Sequence, residues 1–245
     1  MAVEKLILAL DVDTLAEAQR LVSLTADYVG MYKVGMQLYY SCGPELLSWF
    51  RQNNLRVFLD LKLHDIPNTV EQASRVLASY GVEMFNVHAA GGPIMLKAAL
   101  AGAQAGAVAG KRPLLLAVTV LTSFSQSEWE ATLGQKEEIG QRVQAWARLA
   151  RQCGLDGVVA SSRELPLIQQ ACGPEFVTVI PGIRPLWAAA GDQQRIMTPA
   201  QALRAGAHYL VVGRPITGSA DPREAARRVA EEMAEALAEG GKMRC

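Results

Sequence analysis

The sequence predicts a single-domain (β/α)8 TIM barrel spanning residues 1–245. Eight short apolar runs each lead into a helical pattern, and the repeated strand–helix unit is the chain's only internal periodicity. A length of 245 residues suits eight such units. A doubly wound open sheet is the weaker alternative. Eight parallel strands are many for an open sheet of this length, and no Gly-x-Gly-x-x-Gly follows the first run. No composition shift, linker or low-complexity segment divides the chain.

The first strand spans residues 6–10 and ends at Asp11. Thr14 and Glu17 form a capping-box pattern, followed by Leu15, Ala18, Leu21 and Val22 at helical spacing. The second strand covers 28–34, with Lys33 near its end, and Gly43-Pro44 opens a helix through Leu46, Leu47 and Phe50. The third strand lies within 57–66. It enters as the apolar run Val57-Phe58-Leu59 and then carries Asp60, Lys62 and Asp65. Strand alternation puts Asp60 and Lys62 on one face and Leu59, Leu61 and Leu63 on the other. Asn68 and Glu71 cap the next helix, which Gly81 ends.

The fourth strand, 84–87, ends at His88, and Gly91-Gly92-Pro93 opens an alanine-rich helix. The fifth strand spans 114–120. The long interval 124–138 holds an extra turn of helix before the stripe Ile139, Val143, Trp146, Ala147 and Ala150. Strands at 157–160 and 176–180 flank a helix around 165–171. Thr198 and Gln201 form another capping box, 209–212 is the eighth strand, and Asp221 starts a last helix running to about Glu239.

Composition narrows the function. Net charge is zero, and no basic block interleaves with aromatics, so neither nucleic acid nor an anionic membrane is an expected partner. A small phosphorylated ligand stays open. No signal peptide and no membrane-length apolar run are read. Cys42, Cys153, Cys172 and Cys245 stand far apart and read as reduced thiols, which suggests the cytoplasm.

Active sites of such barrels lie at the C-terminal ends of the strands. Polar residues there are Asp11, Lys33, Asp60, Lys62, His88, Thr122, Ser161, Arg184 and Arg214. Each has an ordinary structural explanation alone: Asp11 as a cap, Lys33 snorkelling, His88 as a hydrogen-bonded core residue. As a set they do not, because nothing structural requires four charges at adjacent strand ends. The loops after strands seven and eight, Pro181-Gly182-Ile183-Arg184-Pro185 and Gly213-Arg214-Pro215-Ile216, suit a phosphate. Residues 182–195 are long enough for a lid. A metal site is possible, because Asp11, Asp60 and Asp65 are oxygen ligands, yet Lys33 and Lys62 compete with a divalent cation, and no histidine cluster suggests zinc. A lysine flanked by carboxylates stays cationic. It is a poor Schiff-base former but a good proton donor, which suggests a carbanion-forming reaction in which Lys62 supplies a proton in place of the leaving group.

Asp60-Leu61-Lys62-Leu63-His64-Asp65-Ile66-Pro67-Asn68-Thr69 resembles, without departure, the D-x-K-x-x-D-I-P-N-T signature of the orotidine 5′-monophosphate decarboxylases. The similarity extends to Leu8-Ala9-Leu10-Asp11, Tyr32-Lys33-Val34-Gly35, Asn86-Val87-His88-Ala89, Thr119-Val120-Leu121-Thr122-Ser123, and the two phosphate-loop segments. The resemblance implies a cofactor-free homodimer that converts the nucleotide to UMP. It implies that Lys62 protonates C6, that Asp60 sits beside the substrate carboxylate, and that Asp65 and Thr69 enter from the neighbouring subunit. It further implies that Lys33 bridges the charge network and the ribose, that Asp11 binds the ribose, and that Thr122 faces the pyrimidine edge. Gln193 would touch phosphate and base, and Arg184, Gly213 and Arg214 would hold the phosphate. Two alternatives stand: a Mg²⁺-dependent decarboxylase of a sugar-acid phosphate, and a non-catalytic nucleotide-binding protein.

Overall fold

The structure, a computed structural model, describes residues 1–134, 136–188 and 197–242. Eight strands follow in chain order: β1 Leu6–Ala9, β2 Met31–Gly35, β3 Val57–Leu63, β4 Met84–His88, β5 Leu114–Val118, β6 Gly157–Val159, β7 Val177–Ile180 and β8 Tyr209–Val212. All are parallel, and β1 pairs with β8 through Ile7 and Val211, closing the barrel. Helices alternate with the strands, so one chain forms one (β/α)8 barrel.

Two apolar cores follow from strand alternation. Outward residues such as Leu6, Leu8, Val34 and Leu59 pack against the helices. Inward Ile7, Met31, Phe58, Met84, Leu116, Val179 and Val211 form a separate plug inside the barrel. At Gly157 an added Cβ would stand 2.1 Å from the Val177 carbonyl oxygen, so β6 and β7 can meet closely only over a glycine.

Several local expectations need correction. Strand β2 begins at Met31 rather than residue 28, because the Tyr28 and Val29 N–H groups still turn back to the Thr25 carbonyl at 2.9 and 3.1 Å. An unforeseen helix, Met36–Cys42, precedes Glu45–Gln52. Asn68 does not cap its helix. Pro67 occupies the first turn of Pro67–Ser79, so the cap falls on Ile66, which has no side-chain acceptor. Thr14 does cap Leu15–Thr25, accepting the Glu17 N–H at 3.2 Å, but the Glu17 carboxylate takes the Thr14 hydroxyl rather than closing a reciprocal box. The extra helix after β5 is Gln126–Leu133, opened by a Ser125–Glu128 capping box. Its buried Trp129 packs edge-on to Phe124 and Trp146. The last helix runs Pro222–Lys242.

Cys42, Cys153 and Cys172 are free thiols, while Cys245 lies outside the described residues. Among the described residues no helix is long and apolar enough to cross a membrane.

The N-terminal face of the barrel carries stability. Arg112 forms a two-pronged pair with Asp156 at 2.6 and 2.9 Å. His208 Nδ1 accepts the Thr178 N–H at 3.2 Å. Burial, helped by Lys5, pushes the His208 pKa below its ordinary 6.5, and burial with His64 and Lys62 does the same at His88. Both folded rings therefore resist protonation, whereas the unfolded chain takes up protons at the ordinary value. The stability they contribute is present above about pH 6.5 and is lost as pH falls toward the lowered folded values. The urea midpoint is expected to be flat above neutrality and to fall below about pH 6.5. His208→Asn, which keeps an acceptor but does not titrate, should reduce that slope; an unchanged slope would remove His208 from the linkage.

Candidate active site

Alternation stacks a polar layer directly on the apolar plug. On β2 Met31 is followed inward by Lys33 and Gly35. On β3 Phe58 is followed by Asp60 and Lys62, and on β4 Met84 is followed by Asn86 and His88. Asp11 continues β1 in the same way. Asp11, Lys33 and Asp60 are thus each raised one strand repeat above an apolar side chain of the plug, and Lys62 one repeat above Asp60.

Asp60 is the hub. Only 9% of it is exposed, and its carboxylate meets Lys62 Nζ at 2.7 Å, Lys33 Nζ at 3.5 Å and Asn86 Nδ2 at 2.7 Å. Lys33 Nζ also donates to Asp11 Oδ1 at 2.9 Å. Burial pushes the Asp60 carboxyl up. The charges of Lys33 and Lys62, with hydrogen bonds from Lys62 and Asn86, outweigh burial and hold it below the usual carboxylate value. The outcome is a chain of alternating charges, Asp11–Lys33–Asp60–Lys62, fixed before any ligand arrives.

Two neighbouring geometries keep the mouth open and aimed. At Gly35 an added Cβ would stand 3.0 Å from Lys33 Nζ and 3.5 Å from Asp11 Oδ1, so a larger residue would crowd that pair. Lys62 sits in the left-handed region, at φ 53°. A bulky residue there is unusual and marks a strand bent at a functional position.

The mouth has two joined chambers. One is lined by Lys33, Asp60 and Lys62 on one side and by Val118, Val120, Thr122, Val159 and Ala160 on the other. The second is lined by Asp11, Lys33, Gly182, Arg184, Gly213 and Arg214. Lys33, Pro181 and Val211 belong to both. The second chamber gathers three cations around one carboxylate, which suits a polyanion. The first sets apolar side chains, Val118, Val120, Val159 and Ala160, beside the Lys62 ammonium. An elongated ligand with an anionic end and a planar end fits the pair, its middle passing Asp11 and Lys33.

Of the residues expected at the site, Asp11, Lys33, Asp60, Lys62, Thr122, Arg184, Gly213 and Arg214 line the two chambers. Asp65 and Thr69 do not join them within this chain. Both are exposed and line an adjacent cavity with Tyr40 and His64, which reaches the mouth residues only through Lys62. His88 stacks near His64, ring centres 5.5 Å apart, rather than lining either chamber. Ser161 is buried and its hydroxyl accepts the Arg163 N–H at 3.4 Å, so it starts a turn. Gln193, and residues 189–195 of the expected lid, lie outside the described residues. Asn86 was missed. Its signal was a lone amide inside the buried run Met84–His88, at inward parity.

A closed parallel barrel whose strand ends hold a lysine–carboxylate chain beside a cationic recess is a (β/α)8 enzyme built for a small anionic substrate. The family model described as "Orotidine 5′-phosphate decarboxylase / HUMPS family" matches residues 4–229, and the chain belongs to that family. The chain is 51% identical over 234 residues to the orotidine 5′-phosphate decarboxylase of Moorella thermoacetica, covering 95% of this chain and 93% of that protein. It is 52% identical over 241 residues to the enzyme of the same name from Heliobacterium modesticaldum, covering 97% and 98%. Among solved structures, orotidine 5′-phosphate decarboxylase from Lactobacillus acidophilus superposes with a TM-score of 0.83 at 37% identity, covering 93% of this chain and 98% of that one.

Proposed function

We propose that this chain decarboxylates orotidine 5′-monophosphate to UMP, in pyrimidine biosynthesis, without metal or cofactor. The observation that carries the chemistry is Lys62 Nζ held 2.7 Å from Asp60, facing an apolar wall in a recess joined to a cationic chamber. The phosphate occupies the Arg184, Gly213 and Arg214 chamber, the ribose passes Asp11 and Lys33, and the pyrimidine lies against Val118 and Thr122.

The bond between C6 and the carboxylate breaks, and its electron pair stays on C6. Carbon dioxide leaves, and the pair takes a proton from Lys62 Nζ, which is then reprotonated from solvent. That carbanion has little resonance help, so the barrier is high; enzymes lower barriers of slow reactions by up to about 23 kcal/mol. A prepositioned ammonium in a water-poor recess stabilises the developing charge without reorganising. Phosphate contacts remote from the reacting carbon provide binding energy for ordering the site. A sugar-acid phosphate reaction through Mg²⁺ is less well supported, since the Asp60 carboxylate is already taken by two ammonium groups and an amide. Run in D₂O, the protein is expected to yield UMP carrying one deuteron at C6, read by proton NMR. Turnover of a sugar-acid phosphate in its place would overturn the assignment.

The site is completed by a second copy of the chain. Asp65 and Thr69 sit outside their own mouth yet beside Lys62, and Tyr40 and Ile66 next to them are 73% and 67% exposed. In the homodimer the partner's Asp65 joins Lys62, and Thr69 accompanies it. Lys62→Ala and Asp65→Ala are each expected to be nearly inactive. Mixed and reassociated, they should regain about a quarter of wild-type activity, because random pairing gives hybrids with one intact site. A mixture as silent as its components would place Asp65 elsewhere. Three free thiols fit a reducing compartment, and the cytoplasm is the proposed location.

A further inference from the structure

The pairing of β3 with β4 is interrupted at the active site. Phe58 and Leu59 pair with Met84 and Phe85, and the next pair is Leu63 with Val87. Between Leu59 and Leu63 β3 advances four residues, while between Phe85 and Val87 β4 advances two. The surplus lifts Asp60, Leu61 and Lys62 off the ladder, with Lys62 at φ 53°. A backbone N–H freed in this way must find another acceptor.

Asn86 lies opposite the gap, fully buried. Its Oδ1 accepts the Lys62 N–H at 2.8 Å, and its Nδ2 donates to Asp60 Oδ1 at 2.7 Å. One amide therefore holds the backbone of the proton donor and the carboxylate that pairs with it. Asn86 lines neither chamber, and its amide is already committed to these two partners. We propose that Asn86 is a positioning residue for the decarboxylation, which sets the distance and orientation of Lys62 relative to Asp60 by bridging the broken ladder. An apolar side chain would leave the Lys62 N–H unpaired, and a hydroxyl is too short to span both partners. The proposal rests on the decarboxylase reading for its kinetic consequence, while the clamp itself is independent of substrate.

Asn86→Leu removes both bonds at nearly constant volume. Its kcat on orotidine monophosphate is expected to fall about 100-fold or more, as for a reacting group displaced by about 1 Å. UMP affinity is expected to stay within about threefold, since the phosphate chamber is untouched. In the ligand-free protein, ¹³C NMR should show the Asp60 carboxyl binding its proton at least about tenfold more tightly than in wild type, having lost a hydrogen bond to its charged form. Asn86→Asp keeps the acceptor and replaces the donor with a carboxyl. Relative to wild type its turnover should recover as pH falls and the introduced carboxyl can donate again. A folded Asn86→Leu with kcat within about twofold of wild type and unchanged Asp60 titration would overturn the proposal. So would UMP affinity falling in step with kcat, or failure of both variants to fold, since either outcome makes Asn86 a residue of the scaffold. If the wild-type protein does not turn over the nucleotide, the decarboxylase reading fails, and the Asp60 titration still decides the clamp.

Discussion

Lys62→Ala is expected to lower kcat on orotidine monophosphate by at least about 10⁴-fold while UMP affinity changes by no more than about threefold. Lys62 has two tasks that alanine cannot share. In the proposed mechanism its ammonium stabilises the carbanion as the carboxylate leaves, and it then supplies the proton at C6. General acids contribute up to about 10⁴-fold, and a prepositioned charge in a dry site adds about 10²- to 10³-fold. Binding should be spared, because the proposed place for the anionic end of the nucleotide is the other chamber, lined by Arg184 and Arg214. Stopped-flow turnover together with UMP titration separates the two effects. Near-normal turnover in the variant would remove Lys62 from the chemistry; loss of UMP binding equal to the loss of rate would make it a ligand-binding residue only.

Asp60→Asn is expected to lower kcat by about 10³-fold. The substitution keeps the side chain's shape and takes away the charge that fixes two ammonium groups, Lys33 at 3.5 Å and Lys62 at 2.7 Å. Without it the two cations repel in a recess poor in water, and each turns toward solvent or toward Asp11. The same substitution addresses ground-state repulsion, because Asp60 in this account stands beside the substrate carboxylate. Orotidine monophosphate should bind severalfold more tightly to the variant, whereas UMP, which lacks the carboxylate, should bind as before. Equal changes for both nucleotides would show that Asp60 acts only by holding the lysines.

What the sequence disclosed follows from what alternation and strand ends encode. Asp11, Lys33, Asp60 and Lys62 were readable as one cluster because each closes or nearly closes an apolar run, and a parallel barrel brings those ends together. The cationic chamber was readable from Arg184 and Arg214 by the same logic. The bulge at Lys62 was not, since a left-handed lysine is imposed by the partner strand and by Asn86, neither of which periodicity reports. The helix Met36–Cys42 escaped because it starts directly from β2 at Gly35, with no side-chain cap to announce it. Asn68 misled because proline in the first helical turn outweighed a good capping residue next to it. The role given to Asp65 came from family resemblance alone; within one chain it stands apart from the mouth.

The most direct test follows the orotate absorbance of orotidine monophosphate after addition of the purified protein, with excess EDTA in a parallel cuvette. The account predicts complete loss of that absorbance at the same rate in both. Loss that stops with EDTA would put a metal ion into the mechanism, and unchanged absorbance with a folded protein would contradict the assignment of a decarboxylase.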